Sequence, residues 1–563
     1  MENRMENNLF KLDRAFWIAL LEEGKLADAL INFEHYRDKL SCIKDNENDN
    51  NDEDYSKYEQ EIETSERILV EKLSQSASKY IDKKNFSNAL MCYKYIFEKF
   101  PKDIENIKNY IICLEKLEQF DLQLELAKYL INLSKNGENY KILSNAYEKN
   151  QDYYKAIDYY NDALKIENKT VLTSADYNII GCHYFNSYIK KGQKPDDAAN
   201  ALKYFQEALK GNASSKVYLK NAIVAAMKAK DYTSEKKYWE KYIRSGFASK
   251  DDEFTYCASC MRNGDIKEWA KYYGSRFFKT EPTIYPKFDK PEWSGKEDLS
   301  NSTLLVYYEQ GYGDNFLAFG YMPRLVKIAK HVIYFIQNNA YELVKNNEFG
   351  VKVFCQKTTD IRKLKFDYHI PCLSIPIALN LDKENISVGG GYIKANPKLV
   401  DKFKLKYFDN NKFKIGIAFE GLPNNKKRDI PFENLLVLDE LENVELYCLT
   451  KDINDKKLRA FKNHQIINVG KDFNNFSDTA AAIENIDILL SSDNCVLNLA
   501  GAMGKKTIGV FNYHYEYRWY DLSGKDSGWY KSVYPIVNNE YNDWSLSLEK
   551  AVELIKQSMA DKN

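Results

Sequence analysis

The chain has 563 residues, a net charge of −1, 44% hydrophobic residues and 29% charged residues. That length exceeds what one hydrophobic core organises and implies two to four domains. The balanced charge gives no electrostatic case for nucleic acid or an anionic membrane as a partner. No apolar run approaches the roughly 18 residues of a membrane span. The opening MENRMENNLFKLDRAFW lacks the apolar stretch of a signal peptide, so a cytoplasmic location is expected. The ten cysteines are scattered, and free thiols are the default. Cys257 and Cys260 form a CxxC without a second ligand pair, which favours small residues at a helix contact over a zinc or redox site.

Up to about residue 275 the sequence repeats itself. Phe86-Ser-Asn-Ala89-Leu-Met-Cys-Tyr93 parallels Tyr153-Tyr-Lys-Ala156-Ile-Asp-Tyr-Tyr160, and Ala201 and Tyr204 fall where Ala156 and Tyr159 do. Phe86 to Phe120 is 34 residues, Phe120 to Tyr153 is 33 and Tyr204 to Tyr238 is 34. An earlier unit is Leu26-Ala-Asp-Ala29-Leu. Apolar residues at i, i+3, i+4 and i+7 predict amphipathic helices, and Ala at fixed positions lets antiparallel helices approach closely. This period resembles the tetratricopeptide repeat (TPR). The acidic run Asp45–Asp54, within an insertion of about 43–66, is predicted as a loop. A second insertion, Lys169–Asp196, lengthens one repeat. Stacked helix pairs build a superhelix with a concave face. Such a face holds a protein or peptide, or else serves as a spacer or a surface for homo-oligomers.

Beyond Pro282 the period changes. Strands are predicted at Thr303–Glu309, His331–Ile336, Val351–Cys355 and Asp367–Ile370, with a helix over Asn315–Lys330. A second strand–helix series starts at Phe413–Phe419 and continues through Val444–Leu449, Gln465–Val469, Ile486–Leu490 and Thr507–Phe511. Gly389–Pro397 reads as a hinge between them. Two doubly wound sheets in series place a cleft at the carboxyl ends of both.

Two strand-to-helix turns carry candidate chemistry. Gly311-Tyr-Gly313-Asp314 allows a tight turn and close approach of a ligand, with Asp314 either facing the cleft or capping the helix. Ser492-Asp493-Asn494-Cys-Val-Leu-Asn498 opens a second helix, whose free N–H groups favour an anion such as a diphosphate. Asp493 caps that helix or holds a sugar hydroxyl. Lys426, Lys427 and Arg428 are either a solvated charge run or partners for a leaving phosphate. Arg518-Trp519 and Trp529-Tyr530 either stack on a ligand or pack in the core.

Taken in order, Glu309–Asp314, Phe476–Ala480, Ser492–Gly504 and Arg518–Tyr530 resemble the heptosyltransferase-like (family 9) glycosyltransferases, and more closely bacterial proteins that fuse TPRs to such a domain. The resemblance covers about residues 280–540. It implies an α + α/β chain: a TPR-like solenoid over 1–275, then a GT-B double Rossmann-like domain. Its first lobe would span 276–395 on the acceptor side, and its second 396–563 on the nucleotide-sugar side, with a C-terminal helix. It implies a nucleotide-diphosphate-sugar donor, no metal, no separate cofactor, and inversion at the anomeric carbon. Carried over by position, Asp314 is the candidate general base. Gly311, Gly313, Lys427, Arg428, Ser492, Asp493, Asn494, Asn498 and Arg518 are the candidate donor-binding residues.

Two positions depart from the family pattern. Asn494 stands where Thr or Ser is usual, and Asn498 where His is usual; Asn hydrogen-bonds but carries no positive charge. The expected function is sugar transfer to an acceptor, a protein hydroxyl presented by the TPR groove, with flagellin or another surface protein as one example. The alternative is a decayed transferase acting as a TPR adaptor or a nucleotide-sugar-binding scaffold.

Overall fold

The computed structural model describes residues 13–46, 52–281, 286–347, 349–421, 423–520, 522 and 527–562. The chain divides into two compact units, Met1–Lys190 and Lys191–Asn563.

Among the described residues the first unit is all helical. Helices cover residues 13–22, Leu26–Asn46, Asp52–Asp82, Phe86–Lys99, Ile104–Lys116, Phe120–Leu133, Gly137–Lys149, Tyr153–Ile166 and Ser174–Lys190. The repeat is set by its inner turn. Lys84, Glu118 and Gln151 have φ near +60°, 34 and 33 residues apart, and each stands two residues before a helix start. Asn85 and Asp152 cap those starts by accepting from the backbone N–H three residues on. Ala89 and Ala156 follow at the fourth helical position, fully buried where two helices cross. One continuous apolar core runs from Trp17 to Ala156.

Residues 47–51, within the acidic run, lie outside the described residues. From Asp52 the chain is helical rather than looped, so most of the expected insertion begins the 31-residue helix Asp52–Asp82. The physical reason is one buried stripe, Ser65, Leu69, Leu73 and Ala77.

The second unit begins with five more helices of the same kind, Pro195–Gly211, Lys216–Lys228, Tyr232–Arg244, Lys250–Arg262 and Ile266–Tyr272. The turn signature persists at Lys230 and Gly264, again 34 residues apart. Cys257 and Cys260 are buried thiols within the Lys250–Arg262 helix. Burial pushes the Cys260 thiol up to about 12.

Two parallel sheets follow. The first lobe holds β1 (Thr303–Tyr307), β2 (His331–Ile336), β3 (Val351–Cys355) and β4 (Tyr368–Pro371) in the order β3-β2-β1-β4. The second holds β5 (Phe413–Ala418), β6 (Val444–Cys448), β7 (Ile467–Asn468), β8 (Ile488–Ser492), β9 (Thr507–Phe511) and β10 (Val533–Val537) in the order β10-β9-β8-β5-β6-β7. That is the 3-2-1-4-5-6 order of a dinucleotide-binding sheet, and the first lobe is its four-strand truncation. The central strands are buried, with apolar runs Leu304–Tyr307 and Ile488–Leu490, because helices cover both faces. Along the chain, TPR-like helical repeats are followed by two Rossmann-like lobes in series, a GT-B arrangement.

Three details differ from the sequence reading. The helix expected over Asn315–Lys330 starts earlier, at Tyr312, and ends at Phe319; after Gly320 only a short turn, Met322–Leu325, remains. The strand expected over Gln465–Val469 shrinks to two residues. β10 was not foreseen, because it is an edge strand with Pro535 inside it and Tyr534 on its exposed side. Among the described residues, no helix is long and apolar enough to cross a membrane.

Candidate active site

β1 runs into the first turn of the site. Glu309 just after it is fully buried and accepts from Arg276 Nε at 2.7 Å and Nη2 at 3.1 Å. Arg276 also donates to Ser374 Oγ at 2.8 Å and to the Tyr273 carbonyl at 3.0 Å. Gln310 has φ +59°, and its carbonyl accepts from Gln337 Nε2 at 2.9 Å. The Tyr312–Phe319 helix then starts from Gly311, whose N–H donates to Asp314 Oδ2 at 3.1 Å. Asp314 is therefore both the capping acid of this helix and a cleft-lining residue. Its Oδ1 accepts a short bond from Arg518 of the other lobe.

The second turn follows β8. Asn494 caps the Cys495–Met503 helix: Oδ1 accepts from the N–H of Val496 at 2.9 Å and of Leu497 at 3.1 Å. Its amide donates to the Ala418 carbonyl at 3.0 Å and to Ser492 Oγ at 3.2 Å. Asn494, not Asp493, is the cap. The amide both caps the helix and ties the turn to β5. Asp493 turns toward the cleft, with Oδ1 accepting from Trp519 Nε1 at 2.9 Å and Oδ2 lying 3.5 Å from Arg428. Burial raises its proton affinity, against the pull of Arg428.

The two helices touch. A Cβ on Gly313 would stand 2.9 Å from Asn498 Nδ2, so glycine there permits the contact between lobes. Asn498 donates to the Asn494 carbonyl at 3.1 Å and accepts from Tyr530 Oη at 3.2 Å. Tyr530 in turn fills the space left by Gly501, where a Cβ would stand 2.5 Å from its ring. The Gly389–Pro397 segment crosses beside them, Gly389 N–H donating to the Trp529 carbonyl at 3.1 Å.

Between the sheet ends lies a cavity of about 990 Å³, lined by Gly311, Gly313, Asp314, Arg428, Asp493 and Arg518 among others. One chain of alternating charge crosses it. Asp493 faces Arg428, Arg428 donates to Glu516 at 2.9 Å, Glu516 lies 3.8 Å from Arg518, and Arg518 reaches Asp314. Burial opposes the Arg518 charge, but Asp314 and Glu516 outweigh it and hold the guanidinium firmly protonated. Glu516 was not singled out in the sequence, where nothing local distinguishes it from any loop acid. The loop carrying it rests on the last repeat helices, with Phe254 and Tyr517 edge to face at 6.0 Å.

Of the residues proposed from sequence, Gly311, Gly313, Asp314, Arg428, Asp493, Asn494, Asn498 and Arg518 line this cavity. Ser492 is fully buried at the end of β8, where its hydroxyl accepts from Asn494. Lys427 is exposed and outside the lining, because its carbonyl is anchored by Asn512 Nδ2 at 2.9 Å while its neighbour Arg428 turns inward. Trp519, Trp529 and Tyr530 are packed as core residues, and the two tryptophans also line the cavity.

No protein-family model and no curated protein matches the sequence. Among solved structures the chain is similar to the glycosyl transferase family 9 protein from Veillonella parvula DSM 2008, at 13% identity, over 46% of this chain and 91% of that one, with a TM-score of 0.35. It is similar to MamA at 16% identity, over 31% of this chain and 91% of that one, with a TM-score of 0.27. The likeness to YrrB, described as a TPR protein with an unusual peptide-binding site, is 12% identity over 32% of this chain and 89% of that one, with a TM-score of 0.27. At TM-scores below 0.5 these likenesses leave the functional reading to rest on the cleft itself.

Proposed function

We propose that the protein is a glycosyltransferase that moves a sugar from a nucleotide-diphosphate donor to an acceptor hydroxyl, with inversion and without a metal ion. The observation that carries this reading is the 990 Å³ cavity at the carboxyl ends of two Rossmann-like sheets, lined by a carboxylate from one lobe and two guanidiniums from the other. Ligands of open α/β sheets bind at that edge. The donor diphosphate would lie against Arg428, Arg518 and the start of the Cys495–Met503 helix, displacing Glu516 from the guanidiniums. Asp314 would take the acceptor proton as the oxygen attacks the anomeric carbon, and the bond to the diphosphate oxygen breaks. Charge gathering on the leaving phosphate is met by the two arginines. The acceptor in this reading is a protein hydroxyl, presented by the TPR groove.

A second reading is favoured by one observation. Both Asp314 oxygens are engaged, one by the Gly311 N–H and one by Arg518. A nucleotide-sugar-binding scaffold needs no free base. Incubating the protein with a panel of nucleotide-sugars and cell extract separates the two: nucleotide release with labelled protein supports transfer. Tight nucleotide binding with no turnover on any donor supports the scaffold.

A further inference from the structure

Resting on the donor-site reading, we propose that Glu516 is a specificity-determining residue: its carboxylate holds the place between Arg428 and Arg518 that a diphosphate takes, so that only a ligand carrying more negative charge than a carboxylate displaces it. Glu516 Oε2 accepts from Arg428 Nη2 at 2.9 Å, and Oε1 lies 3.8 Å from Arg518 Nε. One carboxylate thus spans both guanidiniums. Among the described residues, six carboxylates and three cationic side chains line the cavity. An anion entering such a lining must take a cation away from a carboxylate before it can bind.

Three carboxylates meet the two arginines, and they are not held alike. Asp314 is tied by the Gly311 N–H at 3.1 Å. Asp493 is buried and accepts from Trp519 Nε1 at 2.9 Å. Among the described residues, the Glu516 carboxylate is held by the two guanidiniums alone, and its side chain is 21% exposed. Its main chain is fixed, because the Glu516 carbonyl accepts from the Trp519 N–H at 3.1 Å and the adjacent Tyr517 packs on Phe254. Displacement is therefore a rotation of one side chain between staggered rotamers. A monoanion gains little here, since one charge replaces another. A diphosphate brings more charge and more acceptor oxygens to the same two forked donors. When the nucleoside diphosphate leaves, the Glu516 carboxylate competes with it for the arginines and speeds its release.

The test is calorimetric titration of the full chain with inorganic pyrophosphate at low ionic strength. Glu516→Gln should bind it about tenfold more tightly than wild type, the worth of one competing charge-assisted bond. Glu516→Asp keeps the charge and should stay within about threefold of wild type. Glu420→Gln removes another carboxylate of the same cavity, one paired with Lys457 instead of an arginine, and should leave the affinity within about twofold. The gain should vanish in Glu516→Gln/Arg428→Gln. Equal affinity in wild type and Glu516→Gln would overturn the inference while leaving the donor site standing. An equal gain in Glu420→Gln or in Glu516→Asp would overturn it too, and so would a gain that survives the loss of Arg428. Pyrophosphate binding to neither wild type nor Glu516→Gln would overturn the donor-site reading, and this inference with it.

Discussion

The ion pair of Arg276 with Glu309 should be the costliest single interaction to break in the second unit. Both side chains are about 1% exposed, and Arg276 makes four hydrogen bonds, two to Glu309 and one each to Tyr273 and Ser374. The guanidinium also lies 4.0 Å from the Tyr273 ring centroid and 3.9 Å from that of Phe277. Arg276→Met keeps the packing volume but strands a buried carboxylate, which costs about 3–5 kcal/mol. For a unit of Lys191–Asn563 the entropy of unfolding is roughly 0.8 kcal/mol/K, so the midpoint should fall by about 4–6 °C. Adding Glu309→Gln removes the stranded charge and should restore about half of that loss. Scanning calorimetry of the wild type, both singles and the double closes the cycle. If Arg276→Met melts within about 1 °C of wild type, or the double melts no higher than Arg276→Met, the argument about a stranded charge fails.

Other outcomes follow from the same geometry. Asp314→Asn should lower sugar transfer by ~10²–10⁴ while nucleotide affinity measured by calorimetry changes little; equal turnover would remove Asp314 as the base. Gly313→Ala should cost ~1–3 kcal/mol by overpacking against Asn498, and Asn498→Ala in the same chain should recover most of it in urea unfolding. Asp176 is only 5% exposed, and although burial opposes its charge, Thr173, Lys169 and Tyr160 outweigh that and hold it at about 2. Asp176→Asn should therefore destabilise the first unit by at most ~2 kcal/mol at pH 7. Because the folded value is depressed, that penalty should shrink as pH falls from about 4 through about 2, which denaturant melts at several pH values would show.

Local pattern settles much of this protein. The 34-residue period is legible because two of its hairpins place the same small residue at the crossing and cap the helix after the turn, so Ala89 and Ala156 announce the contact they make, whereas the unit at Phe120 has Gln123 there and no side-chain cap. Buried parallel strands are legible because both faces are covered, which leaves uninterrupted runs such as Leu304–Tyr307. β10 escaped because an edge strand need not be apolar on both faces. The acidic run misled where charge outweighed the stripe of Leu69, Leu73 and Ala77 farther along the same helix.

The site divides the same way. Gly311, Gly313 and Asp314 were visible because a turn and a cap obey local rules, and so was the helix start at Asn494. What only the tertiary structure decided is which charges meet. Arg518 and Asp314 are 204 residues apart, Arg428 and Glu516 are 88 apart, and Lys427 lies outside the cavity that its neighbour Arg428 lines. Turn and cap preferences act within a few residues, whereas an ion pair depends on where two distant loops stop in space. Only the packing of the second unit, from its repeat helices to its two sheets, fixes that.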